Sequence, residues 1–230
     1  RFLAASQALR VTDVPFNITL EPVARNTAAA IAAVAHQYSN IENAIMVVLP
    51  SDHYLPDLES FIHSVGIAAK AAAQGKLCAF GIVPTSPETG YGYIESGAPM
   101  ADVAGAFELK KFVEKPSAER ANELLASGRY TWNSGMFVMQ VGTFLGELKN
   151  YAPEIFAATE QAVLHATRET SFTRLNQAAF EASPSISIDY AVFEKTQCAA
   201  VVPFKGQWSD LGSWSAVAEL ATVMQTTTAQ

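Results

Sequence analysis

The sequence predicts an α/β fold, a mostly parallel mixed sheet flanked by helices, and three observations carry that prediction. Short apolar runs alternate with stretches of helical period along the whole chain, the pattern of helices packed on a parallel sheet. The runs AIMVVLP and LCAFGIV are continuously apolar, as strands buried on both faces are. The chain has 230 residues, half of them hydrophobic and 16% charged, which suits a single domain over 1–230 with a substantial core.

The elements follow in order. RFLAASQALR opens the chain with the character of an amphipathic helix, Phe2, Leu3 and Leu9 forming its apolar side. NITLE (17–21) is a strand, and residues 26–39 form an Ala-rich helix with Asn26 or Thr27 at its N-cap. AIMVVLP (44–50) reads as a buried parallel strand ending in Ser51, Asp52 and His53. A helix over 58–74 stops at Gly75, and LCAFGIV (77–83) is the next strand.

TSPETGYG (85–92) is a Pro- and Gly-rich loop, after which YIES and FELKKFVEK are strands around an insertion. Residues 117–128 form a capped helix and TWNSGMFVMQV (131–141) a strand. Helices then dominate from 142 to about 180. IDYAVFEKT (188–196) is a helix with Asp189 near its N-terminus, CAAVVPF a strand, and a last helix runs through Val223 before a frayed tail.

A formal charge of -7 and a pI near 5.1 argue against nucleic acid as a partner, since phosphate backbones require a basic face. A small-molecule ligand fits better. No apolar run approaches the roughly 20 residues that span a bilayer, and the start lacks the regions of a signal peptide, so no membrane partner and a cytoplasmic setting are expected. Cys78 and Cys198, both inside apolar runs, read as small buried residues of a reducing compartment.

Ligands of open α/β sheets bind at the carboxyl ends of strands, which directs attention to Asp52 and Asp210. If both strands are central, the two carboxylates share one cation, and Mg²⁺ takes one or two protein carboxylates while leaving positions to water and substrate phosphates. Position alone leaves a turn or cap role open for each. In VEKP, Glu114 and Lys115 precede Pro116 at a strand end; either a twist into the loop brings them to one pocket, the lysine for phosphate and the glutamate for sugar hydroxyls, or they are a solvated charge pair.

EPVARNT ends on a helix N-terminus, which attracts anions and polar ligand edges. Glu21 there matches the two parallel donors of a guanine edge, and Arg25 is either a ligand contact or a structural partner of Glu21. Asn133 in WNSG can donate and accept, and Gly135 permits close backbone approach. The glycines of TGYGYIE offer a backbone contact or simply a turn. The chain contains no HExxH, CxxC, GxSxG or GxxxxGK[ST], so zinc proteolysis, thiol redox, hydrolase and P-loop chemistry have no support. Its four histidines are scattered; His53 alone sits beside a candidate residue, where capping or packing explains it, and Trp208 and Trp214 read as packing.

EPVARNTAAAIA, VVLPSDH, PTSPETGYGYIE, FVEKP, WNSGMFV, SIDYAVFEK and KGQWSDLGSW, taken together and in this order, resemble the nucleotidyltransferase domain of mannose-1-phosphate guanylyltransferases, the GDP-mannose pyrophosphorylases. The resemblance covers nearly the whole chain and implies a Rossmann-like nucleotide-diphospho-sugar transferase fold. It also implies that a mannose 1-phosphate oxygen attacks the α-phosphorus of GTP, giving GDP-mannose and pyrophosphate.

By that resemblance Asp52 and Asp210 hold Mg²⁺, and Lys115 binds the sugar phosphate. Glu114 and Asn133 take the mannose hydroxyls, Gly92 gives a backbone sugar contact, and Glu21, Asn26 and Thr27 form the guanine side, with Arg25 a further substrate-binding candidate. Asp189 and Lys195 also match the pattern, though a helix cap and a helix-end cation account for them. The family opens with a strand and a GGxGTRLWPLS loop, followed by a PKQF lysine; neither is in this sequence, so the chain is expected to begin after them. A homo-oligomer is compatible with the sequence. The alternatives are a pyrophosphorylase for another sugar nucleotide and a non-catalytic sugar-nucleotide-binding or regulatory module.

Overall fold

A computed structural model describes residues 2–212. In chain order the elements are α1 (Phe2–Val11), β1 (Ile18–Leu20), α2 (Asn26–Gln37), β2 (Ile45–Val48), α3 (Leu58–Ala73), β3 (Leu77–Ile82), β4 (Tyr93–Pro99), β5 (Phe107–Val113), α4 (Ala118–Ala126), β6 (Tyr130–Gln140), α5 (Val141–Tyr151), α6 (Pro153–Leu164), β7 (Thr167–Arg168), β8 (Phe172–Arg174), α7 (Gln177–Glu181), a π-helical segment (Asp189–Phe193) and β9 (Ala199–Phe204). They form two compact units. Of the described residues, the first contains 2–46 and Gln140–Gln197; the second contains Val47–Met139 and 198–212.

The first unit is mainly helical. Six of the twelve residues of α2 are buried, and five of these are alanines. Their small side chains let the backbone approach α5 and α6 closely, against which α2 packs. A small sheet of order β1-β8-β7 completes this unit, with β1 and β8 parallel and β7 and β8 antiparallel. Helices dominate from 142 to 180 as expected, but a hairpin over 167–174 lies among them. Its strands are two and three residues long, TR and FTR, so they carry no apolar run to announce them. Helix α1 forms as predicted, but Leu3 and Leu9 on its expected apolar side are 73% and 70% exposed.

The second unit is built on a mixed sheet with flanking helices. Its strand order is β2-β6-β3-β9-β5-β4, and β4 pairs back onto β6, so five of the strands close into a ring. The eleven-residue β6 makes this possible. Its first part pairs with β4 through Tyr93↔Trp132, Ile94↔Thr131 and Glu95↔Tyr130, and its last part pairs with β3 through Leu77↔Met139 and Cys78↔Val138. All six residues of β3 are buried, as its apolar run predicts. Helix α3 packs on β3 and β9, where the rings of Phe61, Phe80 and Phe204 meet with Phe61 centroids 5.5 and 5.9 Å from the other two.

The predicted mostly parallel sheet is corrected by this pairing. Parallel register joins β3 to β9, whereas β3–β6, β4–β5, β4–β6 and β5–β9 are antiparallel. The seven-residue connection over 100–106 between β4 and β5 is too short for the crossover that parallel neighbours need. An apolar run marks a strand without giving its direction. β2 is also misread as a buried strand: it ends the sheet order, and Ile45, Val47 and Leu49 are exposed.

Buried charge in this unit is compensated. Glu95, 7% exposed, accepts from Lys110 at 2.9 Å and from the Tyr130 hydroxyl at 2.9 Å. Those hydrogen bonds hold its carboxyl below the usual range. Cys78 is fully buried and its thiol is pushed up to about 12 by burial, which makes it inert at neutral pH, while Cys198 is half-buried. Among the described residues no helix is long and apolar enough to cross a membrane. The expected last helix and Trp214 lie outside the described residues.

Candidate active site

In the second unit, the loop after β2 and the loop after β9 are joined by one isolated antiparallel bridge. The Tyr54 amide donates to the Ser209 carbonyl at 2.8 Å and the Ser209 amide to the Tyr54 carbonyl at 3.1 Å. Antiparallel neighbours step in opposite directions, so His53 comes opposite Asp210, and Asp52 lies one step further along the same pair of loops. The imidazole of His53 registers both carboxylates: burial lowers its pKa, while the negative charges of Asp52 and Asp210 pull it upward.

Asp210 is oriented from two sides. Its Oδ1 accepts the Tyr91 hydroxyl at 2.8 Å and the Gly212 amide at 3.0 Å. A Cβ at Gly212 would fall 2.7 Å from Oδ2 of Asp210, so only glycine leaves that oxygen its room. Leu211 between them has φ +51°, a left-handed conformation that a branched side chain adopts at a cost. The Tyr91 ring meets Trp132 and Trp208 edge-on, with centroids at 5.1 and 5.6 Å. Burial, then the hydrogen bond and charge of Asp210, raise the Tyr91 pKa and keep its hydroxyl a donor.

Trp208 packs as expected, yet it also works through its polar edge. Its Nε1 donates to Nδ1 of His53 at 3.2 Å, with the two rings T-shaped at 5.3 Å. Tyr91, Gly212 and the His53–Trp208 pair are the members of this cluster that sequence reasoning missed. An aromatic residue flanked by two glycines in a loop, GYG at 90–92, was the available signal for Tyr91.

The VEKP turn forms a second group in the same unit. Lys115 has φ +43° immediately before Pro116, where the α region is itself disfavoured. The Glu114 side chain is 7% exposed and that of Lys115 59%, with Nζ and Oε1 3.7 Å apart. One carboxylate is thus drawn inward while its neighbour's ammonium faces outward, unlike a simple solvated pair. Gly92 lies beside Glu114: a Cβ there would sit 2.5 Å from Oε2 and 3.1 Å from the Phe112 ring. The Gly92 carbonyl accepts the Asn133 amide at 2.7 Å, and the buried Asn133 side chain accepts from the Gly135 amide at 3.3 Å.

Glu21, Arg25, Asn26, Thr27, Asp189 and Lys195 all belong to the first unit. Arg25, not Asn26 or Thr27, takes the cap position of α2. Asn26 is already inside the helix with φ +64°, and its Oδ1 accepts the Thr27 amide at 2.8 Å. Thr27 Oγ1 accepts the Ile188 amide at 2.9 Å, tying the start of α2 to the π-helical segment that Asp189 opens. Arg25 does not pair with Glu21; its guanidinium donates to the Glu181 carbonyl at 2.6 and 3.2 Å. Lys195 Nζ donates to the Tyr151 carbonyl at 3.4 Å. Glu21 lies at the surface, with enough protein around its carboxyl for desolvation to raise its pKa.

The donor chemistry bears on which metal the second unit can take. Among the described residues no group of three or more His, Cys, Asp or Glu side chains could hold a metal ion, so a closed zinc-type site is not formed there. Asp52 and Asp210 offer hard carboxylate oxygens, and Oδ2 of Asp210 has no hydrogen-bond donor among the described residues. Two such carboxylates fit Mg²⁺, which completes its shell with water and phosphate.

A mixed sheet with flanking helices and two acidic strand-end loops bridged together defines a protein of the α/β class with hard oxygen donors at the loop ends of its strands. Comparison with known proteins narrows this: residues 2–227 match the nucleotidyl transferase family, and the chain belongs to it. It is 48% identical over 96% of its length to the xanthan biosynthesis protein XanB of Xanthomonas campestris, and 45% identical over 96% to a mannose-1-phosphate guanylyltransferase of Escherichia coli. In each case it spans 47% of the relative, about half its length. A crystal structure described as mannose-6-phosphate isomerase from Helicobacter pylori superimposes with a TM-score of 0.81 at 33% identity, covering 90% of this chain and 80% of the other.

Proposed function

We propose that the protein transfers a guanylyl group from GTP to mannose 1-phosphate, giving GDP-mannose and pyrophosphate in the cytoplasm. The observation that carries this reading is the Tyr54–Ser209 bridge, which brings together the loops bearing Asp52 and Asp210. The names of the similar proteins and the seven ordered motifs support the choice of substrates. The finer reading of the fold is a Rossmann-like nucleotide-diphospho-sugar transferase domain, in which the parallel β3–β9 pair with α3 against it is the shared core.

In this reading Asp52 and Asp210 would hold Mg²⁺, which when bound would supply neutralisation of charge on the phosphates. An oxygen of mannose 1-phosphate forms a bond to the α-phosphorus, and the α–β bridging P–O bond breaks with its electron pair leaving on pyrophosphate. The second pKa of a phosphate monoester is about 6, so the nucleophile is already ionised at pH 7 and needs no general base. The chain's own task is positioning and charge compensation. Lys115 meets the sugar phosphate as a point charge. Glu114, Asn133 and the Gly92 backbone are assigned to the mannose, Glu21, Asn26 and Thr27 to the guanine, and Arg25, Asp189 and Lys195 to substrate binding.

The test is Asp210→Asn in the complete protein, with Mg²⁺-dependent pyrophosphate release as the readout. Loss of a metal ligand removes several kcal/mol of transition-state stabilisation, so a fall of about 100-fold or more is expected. Near-normal release would overturn the metal assignment. Replacing GTP and mannose 1-phosphate by other nucleotide and sugar pairs in the same assay separates this reading from another sugar-nucleotide pyrophosphorylase, and silence with every pair would favour a binding module.

A further inference from the structure

We infer that Tyr91 is a positioning residue for the cation site: its hydroxyl fixes the Asp210 carboxylate so that Oδ2 is the oxygen presented to the metal. The inference rests on the proposed role of Asp210 as a metal ligand. A carboxylate has two oxygens and rotates about its Cβ–Cγ bond, so an unrestrained aspartate offers either oxygen in several directions. Here Oδ1 is occupied twice, by the Tyr91 hydroxyl at 2.8 Å and the Gly212 amide at 3.0 Å. The missing Cβ of Gly212 keeps the space beside Oδ2 clear. Hydrogen bonds of this kind to a ligating group fix its orientation and tune its affinity for the metal.

The phenol is itself held firmly. Trp132, 7% exposed, and Trp208 contact its ring edge-on, and Trp208 is in turn anchored to His53 by its Nε1–H. Tyr91 also immediately precedes Gly92, whose carbonyl binds the Asn133 amide and whose missing Cβ accommodates Glu114. One rigid loop residue therefore connects the segment assigned to the sugar with the carboxylate assigned to the metal. Cation placement and sugar placement are set by the same turn.

Tyr91→Phe separates this role from packing, because it keeps the ring and its two tryptophan contacts and removes only the hydroxyl. Binding of Mn²⁺, as a stand-in for Mg²⁺, is followed by electron paramagnetic resonance of the free ion, alongside thermal unfolding in EDTA. Wild type, Tyr91→Phe and Asp210→Asn are compared. The expected result is a Kd for Mn²⁺ raised about tenfold or more in Tyr91→Phe, an unfolding midpoint within about 2 °C of wild type, and loss of the site in Asp210→Asn. If Tyr91→Phe binds Mn²⁺ as wild type does while Asp210→Asn does not, Tyr91 is a packing residue and the inference falls alone. If Asp210→Asn also binds as wild type does, the metal reading falls and takes the inference with it.

Discussion

In the second unit Asp210 is gripped by a tyrosine hydroxyl, a glycine amide and a bridged backbone, whereas in the first unit the candidate groups sit on a helix start and a π-helical segment. Thr27 and Arg25 there are engaged with backbone groups, the Ile188 amide and the Glu181 carbonyl. The second unit spends side-chain hydrogen bonds on orienting a carboxylate, and the first spends them on fixing the path of the chain. Under the proposed function that difference amounts to a division of labour: chemistry requires a charge at a defined point, while base recognition requires a surface of defined shape. Substitutions in the second unit should change turnover, and those in the first should change selectivity or stability.

The largest effect that can break this comparison is expected at Lys115. Removing a charge-stabilising group from a transition state costs about 100- to 1,000-fold in kcat, and the exposed Lys115 side chain contributes little packing. Lys115→Ala should therefore abolish most turnover while shifting the unfolding midpoint by less than about 2 °C; an unchanged kcat would remove Lys115 from the chemistry. A smaller effect is expected for Glu21→Gln. Loss of hydrogen bonds to a charged acceptor is worth about 1.5–3 kcal/mol, so the preference for GTP over ATP should fall about 10- to 100-fold with kcat for GTP nearly intact. Retention of full GTP selectivity would take the guanine contact away from the first unit.

The smallest effect concerns stability and pH. Burial lowers the pKa of His36 in the first unit, against weaker upward pulls from Glu160 and the Phe156 backbone. The unfolded chain therefore takes up a proton that the folded chain resists as pH drops below the ordinary value of 6.5. Folded stability is fully present above that value and is lost progressively as pH falls toward the lowered folded pKa. Urea unfolding at several pH values should show a flatter acid slope in His36→Gln than in wild type. Identical slopes would assign the dependence to other groups.

Much of this was legible in the sequence because it is local. The apolar run of β3, the Ser117 cap of α4 and the helix start at 58 follow from residue type and period, and the strand-end positions of Asp52 and Asp210 came with them. Strand direction was not legible, since β4, β5 and β6 obtain their antiparallel neighbours from loop lengths and ring closure rather than from their own pattern. The same holds for β2, whose apolar residues read as buried until its edge position is known. Tyr91 was not legible because a hydrogen bond across 119 positions of sequence leaves no periodicity. The π-helical segment escaped because its apolar spacing is that of an ordinary helix.

The left-handed backbone of Lys115 has a consequence for how the protein would drift under selection. A non-glycine residue in that conformation is about 1–2 kcal/mol less favourable than one in a right-handed conformation, and glycine would relieve it at once. A population selected for heat tolerance alone would thus be drawn to Lys115→Gly, gaining robustness and losing the ammonium. On the proposed role of Lys115, the strained turn is thus a place where durability and turnover pull the sequence in opposite directions.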